Sequence, residues 1–131
     1  KEFRILTKNL KKETKIINTK GRDLKIKNYY DGIARFNFKE LCDQNLGAED
    51  YLNISKFCNH IFIDDIPNFD DFNSNQQLRF ITLIDILYEK KITLTLSLVT
   101  ELKNLKTSKK HSEVFKRTTS RLYEMTALKI L

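Results

Sequence analysis

Residues 60–99 restrict the fold more than any other stretch of this chain. An apolar run, a helix-patterned segment and a strictly alternating run follow one another there, and neither of the last two contains glycine or proline. His60-Ile61-Phe62-Ile63 leads into Asp64-Asp65-Ile66-Pro67, as suits a buried strand whose C-terminal end carries polar groups. Ser74 and Gln77 have capping-box spacing at the start of a helix that runs to about Glu89. Its apolar face uses Leu78, Ile81, Ile84, Leu87 and Tyr88, with Arg79, Thr82, Asp85 and Glu89 on the other side. Ile92 to Val99 then alternates residue by residue and reads as a strand. Strand, helix and strand make a βαβ unit, so the two strands are expected parallel in one sheet. Strict alternation in the second strand implies a face less apolar than a central parallel strand has.

The flanking segments add elements to this unit. Leu24-Lys25-Ile26-Lys27 and Ile33 to Phe38 alternate in polarity around Tyr29-Tyr30-Asp31-Gly32, which predicts a hairpin over residues 22–38. A short helix is expected from Lys39 to Cys42, and a second from about Ala48 to Cys58 with Tyr51, Ile54 and Cys58 on one face. A basic polar loop covers residues 103–111, and a last helix starts near Ser112 with Phe115, Thr118, Leu122 and Met125 packed inward. The expected fold is α/β: an N-terminal β-hairpin, then helices packed on a small, at least partly parallel sheet. Residues 1–20 read as a basic lead-in to the main segment, residues 21–131.

With 40% hydrophobic residues, nine Phe and five Tyr, the chain has the means to bury a core. No run approaches the roughly 20 apolar residues that span a bilayer, and Lys1-Glu2-Phe3-Arg4 opens no signal peptide. Cys42 and Cys58 lie in apolar surroundings with no CxxC spacing, which points to buried reduced thiols. The net charge of +7 is all carried by residues 1–30, while residues 31–100 sum to −5 and residues 101–131 to +5. A solvated, lysine-rich edge accounts for the basic ends, and a nucleic-acid arm is the competing use.

Few residues carry chemistry. The glycines Gly21, Gly32 and Gly47 are isolated, so no loop can wrap the phosphates of a nucleoside triphosphate with backbone N–H groups. Ile61-Phe62-Ile63-Asp64-Asp65 has the outline of a strand that ends on a magnesium-holding carboxylate, but it has no cradle beside it, and no metal site is assigned. His60 and His111 are far apart and lack ligand spacing. Arg117, Arg121 and Glu124 share one face of the last helix. Like charges at i, i+4 oppose each other by a few tenths of a kcal/mol, and an anion or carboxylate meeting that face relieves them. The plain alternative is a solvated face where Glu124 neutralises Arg121. Arg79 is a lone arginine on an exposed stripe, with at most a weak role in cofactor binding.

Several blocks occur together and in order. Ala34 to Cys42 (ARFNFKELC), Leu46 to Leu52 (LGAEDYL), Ile61 to Pro67 (IFIDDIP), Leu78 to Tyr88 (LRFITLIDILY) and Phe115 to Met125 (FKRTTSRLYEM) resemble the latter half of the ZapE-type, AFG-like ATPases, relatives of the AAA+ proteins. The likeness covers roughly Gly21 to Leu131. Leu78 stands where the family pattern usually has a second arginine, and acids at Asp64 and Asp65 are not reliably kept. The resemblance implies that residues 21–131 are the C-terminal segment of the ATPase domain, a partial P-loop NTPase-like domain, and that the chain is the C-terminal fragment of a longer ATP-hydrolysing protein. That parent would remodel client proteins, bind ATP and Mg²⁺ through its missing N-terminal half, and form homo-oligomers. It implies cell-division association and a cytoplasmic location in bacteria, or a mitochondrial one in a eukaryotic relative. Arg117 and Arg121 would then be candidate arginine-finger or sensor residues. This chain alone is expected to bind no cofactor and to be inactive. The alternative is a stand-alone, non-enzymatic module that binds protein or nucleic acid through its basic ends, although no nucleic-acid motif supports it.

Overall fold

Five strands form one mixed sheet in the order of the sequence: β1 (Glu13–Thr19), β2 (Arg22–Tyr30), β3 (Ile33–Asn37), β4 (His60–Ile66) and β5 (Thr93–Leu98). The computed structural model describes residues 2–127, so Lys1 and the last four residues of the 21–131 segment lie outside the described residues. The helices are α1 (Glu2–Thr7), α2 (Phe38–Cys42), α3 (Ala48–Phe57), α4 (Ser74–Glu89) and α5 (Ser112–Ala127), with a 3₁₀ turn at Leu102–Asn104. β1, β2 and β3 are joined antiparallel, whereas β3, β4 and β5 run parallel. The expected parallel βαβ unit is therefore present. So is the hairpin: Asp31 (φ 46°) and Gly32 (φ 92°) close it between Tyr30 and Ile33, a two-residue turn whose left-handed pair favours Asp-Gly.

The sheet has one more strand than the sequence patterning announces. β1 lies within the basic lead-in and pairs with β2 through the turn at Lys20-Gly21, both at positive φ. Only Ile17 and Thr19 of β1 are buried, so its alternation is faint.

α3 and α4 pack on each other and lie on one face of the sheet. Ile26, Ala34, Phe36, Ile61, Ile63 and Leu94 meet them from below, all at most 3% exposed. Full burial of each large apolar side chain stabilises the fold by about 1.5–3 kcal/mol relative to exposure. Phe38, Phe69, Phe80 and Phe115 form a ring cluster with centroids 5.5–5.9 Å apart, which joins α2, the loop after β4, α4 and α5. The opposite sheet face carries Arg35, His60, Phe62, Asp64 and Thr95, and α1 lays the edge of Phe3 on Tyr30 and Phe62. A helical layer on one side and a single short helix on the other explain the alternation of β5: its leucines face the helices and its hydroxyl residues the polar side.

Two details of α4 depart from the patterning. Leu78 is 49% exposed, and the helix buries Gln77, Phe80, Ile81, Leu83, Ile84 and Leu87 instead. The capping box of Ser74 and Gln77 does not form, because Asn73 is the cap and Gln77 points into the core. There Gln77 Nε2 donates to Thr107 Oγ1 at 2.6 Å, and the amide and hydroxyl of Ser108 donate to Gln77 Oε1. A fully buried amide is tolerated because its hydrogen bonds are made, and it fastens the loop before α5 to α4. A polar residue at a core position shifts the apparent apolar stripe towards Leu78. Cys42 and Cys58 are buried and unpaired, as expected. Desolvation pushes the Cys58 thiol up to about 12, so it stays protonated at neutral pH.

Candidate functional site

The candidate site is built on the outer flank of the helical layer, where α4 and α5 lie side by side. Asp85 and Tyr88 are three residues apart on α4 and so project on the same side. On α5, Arg117, Arg121 and Glu124 occupy successive turns facing them. Arg117 Nη2 donates to Asp85 Oδ2 at 3.3 Å, and Arg121 Nη1 donates to Asp85 Oδ1. The Arg121 guanidinium also lies 4.6 Å from the centroid of the Tyr88 ring, a cation–π contact. The Tyr88 hydroxyl donates to Glu124 Oε2 at 2.9 Å. That hydrogen bond, reinforced by the Glu124 charge, holds the phenol above its ordinary value.

A carboxylate does meet the arginine face, and it comes from α4 rather than from the same helix. Glu124 is engaged by Tyr88, so it is Asp85 that relieves the two like charges. The two arginines are not equivalent. The Arg117 side chain is 56% exposed and makes the longer bond, whereas Arg121 is 28% exposed and held between a carboxylate and a ring. Two guanidinium groups share one carboxylate, and Arg117 is the more exposed and the more loosely held of the two. A planar, permanently charged donor fork suits phosphate or carboxylate oxygens.

Arg79 is elsewhere. Its Nη1 donates to the Cys42 carbonyl at 3.1 Å, fastening the end of α2 to α4. The strand-end acids are also occupied. Arg35 grips Asp64 through Nε at 2.6 Å and Nη2 at 3.2 Å, and Asn37 Nδ2 donates to Asp65 Oδ2 at 3.0 Å. Gly21 and Gly32 serve the two hairpin turns, and Gly47 caps α3, where its N–H donates to Asp50 Oδ2 at 2.9 Å. At the strand end and at the start of α3, groups that could face a nucleoside triphosphate or its magnesium are engaged within the chain. The acids are already paired, the first turn of α3 holds its own carboxylate, and no group of three or more His, Cys, Asp or Glu among the described residues could hold a metal ion. The arginine pair, by contrast, fits an oxyanion.

Sequence reasoning missed Asp85 and Tyr88 as members of the site. Asp85 was visible only as one polar residue on the back of α4, and its partners are 32 and 36 residues away. An acid followed three residues later by an aromatic, opposite an arginine pair, was the available signal.

Comparison with known proteins bears on the whole chain. A family model described as AFG1-like ATPase matches residues 1–131, including the basic lead-in. Lactation elevated protein 1 homolog B of Danio rerio is 36% identical over 78 residues, which cover 60% of this chain and 16% of that protein. An uncharacterized protein of Schizosaccharomyces pombe is 32% identical over 77 residues, covering 59% of this chain and 17% of the other. The matched stretch thus spans about a sixth of the length of these curated relatives. No solved structure gives a significant match. No helix among the described residues is long and apolar enough to cross a membrane.

Proposed function

The chain belongs to the AFG1-like ATPase family, and from that premise we propose that it is the part of an ATP-hydrolysing protein that lacks the phosphate loop and presents Arg117 to an oxyanion held by the rest of the molecule. One observation carries this reading: Arg117 and Arg121 share the single carboxylate of Asp85, with Arg117 exposed and weakly held. Arg121, fixed by Asp85 and Tyr88, is the positioning residue. Arg117 is the one with freedom to turn towards a phosphoryl oxygen, where a guanidinium stabilises charge that builds up during transfer. The wider reading is ATP hydrolysis with Mg²⁺ coupled to remodelling of client proteins by a homo-oligomer. In a bacterium this would be a cytoplasmic, cell-division-associated protein of the ZapE type, and in a eukaryote a mitochondrial one.

Steady-state ATPase kinetics on the full-length protein test the proposal. Arg117→Ala should lower kcat by about a hundredfold with little change in nucleotide affinity, because the contact forms mainly in the transition state. Arg121→Ala should lower kcat less, and thermal melts of both variants should match the parent. Unchanged turnover in both variants would return the pair to a solvated surface.

A further inference from the structure

Two loops beyond the C-terminal ends of β4 and β5 are joined into one surface. Residues 67–73 follow β4, and residues 105–111 lead from the 3₁₀ turn into α5. The N–H of Phe69 donates to the Lys106 carbonyl at 2.9 Å, that of Lys106 to Asn68 Oδ1 at 2.8 Å, and that of Lys109 to Asp71 Oδ1 at 3.4 Å. Within the first loop, Asp70 Oδ1 accepts from the N–H groups of Phe72 and Asn73, and Asn73 Oδ1 accepts from that of Asp70. Gln77 anchors the second loop to α4. Hydrogen bonds from side chains thus fix two segments that have no regular structure.

This surface sets an aromatic ring beside a group of cations. Phe72 is 97% exposed, more than any other large apolar side chain among the described residues. A lone exposed ring carries no argument by itself, and the lysines next to it do. Lys106, Lys109 and Lys110 are exposed, and none has an ion-pair partner among the described residues. Their neighbours Lys103 and Lys116 are paired, with Glu101 at 3.4 Å and Glu113 at 3.2 Å. Asp70 and Asp71 turn their carboxylates to backbone N–H groups of the two loops. Phe72 directly follows Asp71, so the bond from Lys109 to Asp71 brings the backbone of the ring to the lysine-bearing loop. Ring and cations are far apart in the sequence, and only the tertiary fold interleaves them.

We propose that these two loops bind a single-stranded polynucleotide. One base stacks on the Phe72 ring, and the neighbouring phosphates meet Lys106, Lys109 and Lys110. Every base has a π-face, so stacking on one ring tolerates any sequence, and a lysine ammonium meets a phosphate as a point charge. DNA and RNA single strands share this chemistry. The excess of +5 on residues 101–131 thereby gains a use that is independent of the oxyanion role of Arg117. An anionic bilayer suits the surface less well. Phe72 is the one exposed large apolar side chain of these loops among the described residues, and inserting it would press Asp70 and Asp71 against the headgroups.

The chain has no tryptophan, so Phe72→Trp puts a unique fluorophore on the loop. Titration with oligo(dT) and oligo(rU) of about eight nucleotides should quench its emission to saturation as a base stacks on the indole. Comparing the two strands distinguishes DNA from RNA as the source. A strand of the same length without bases should bind about tenfold more weakly. Anisotropy of a labelled strand then reads the other variants. Phe72→Ala should weaken binding by about tenfold and leave its salt dependence unchanged. Lys109→Ala combined with Lys110→Ala should weaken it as well and flatten the slope of log K against log salt by about 1.4, at about 0.7 for each phosphate contact. These side chains are exposed, so melting curves should match the parent. The anisotropy measurements are repeated on the full-length protein, with the same result expected. The proposal is overturned if neither strand quenches the indole, or if the strand without bases binds as tightly as oligo(dT). It is equally overturned if phosphatidylserine vesicles shift the emission to the blue while both strands leave it unchanged, which would make a membrane the partner. Unchanged binding by all these variants in the full-length protein would also overturn it, since the strand would then bind elsewhere.

Discussion

Two arginine–aspartate clusters use the same residue types to different ends. Arg22 donates to both oxygens of Asp50 at 2.9 Å and to the Asn45 carbonyl at 3.1 Å, tying the start of β2 to the first turn of α3. The Asp50 side chain is 4% exposed and also accepts the Gly47 N–H, so it caps the helix as well. Asp85, between Arg117 and Arg121, is 33% exposed and caps nothing. What separates the clusters is the burial of the carboxylate. A buried, multiply bonded acid cannot lose its partner without leaving a charge stranded in the interior. A half-exposed acid rehydrates when its arginine leaves, so the arginine is available for another anion. The first cluster belongs to the fold, and the second is the one proposed above to meet an oxyanion.

The largest effect should come from Asp50→Ala, which removes both the cap and the ion pair. Unfolding in urea should show a loss of about 3 kcal/mol, and a loss under about 1 kcal/mol would erase the contrast with Asp85. Arg22→Ala should cost less, about 2 kcal/mol, because the Gly47 N–H still serves the stranded carboxylate. The same urea titration decides it: no measurable loss would mean that the half-exposed Arg22 contributes nothing. The smallest effect belongs to Asp85→Ala, at under about 0.5 kcal/mol by the same method, since exposed pairs are worth little. A loss of 2 kcal/mol or more, by the scale of buried pairs, would move this cluster into the structural class.

Those parts of the molecule written in local patterns were legible from the sequence. Residues 60–99 combine a strand, a helix and an alternating strand, and each carries its period within its own residues. The Asp31-Gly32 turn likewise declares itself. β1 did not, because an edge strand with two buried residues and a bulge has little alternation to show. In α4, Gln77 disguised a core position, since its partners Thr107 and Ser108 lie 30 and 31 residues away. The candidate site divides in the same way. The spacing of Arg117 and Arg121 was visible within one helix, but their carboxylate sits on another and becomes a neighbour only through tertiary packing. That β5 ends the sheet was hidden for a related reason, because a strand's sequence does not say whether it is central or terminal.

The strand order, β1 to β5 with no exchange of places, has a consequence for how the molecule is made. A polypeptide leaving the ribosome N-terminus first delivers each strand to an edge that its predecessor has just finished. No strand has to thread between two others, although each parallel strand must wait for the crossover that precedes it. The sheet can therefore grow in one direction, at the pace of synthesis. Of the five strands described, β5 is the last along the chain, and it reaches the sheet only after α4 has crossed over.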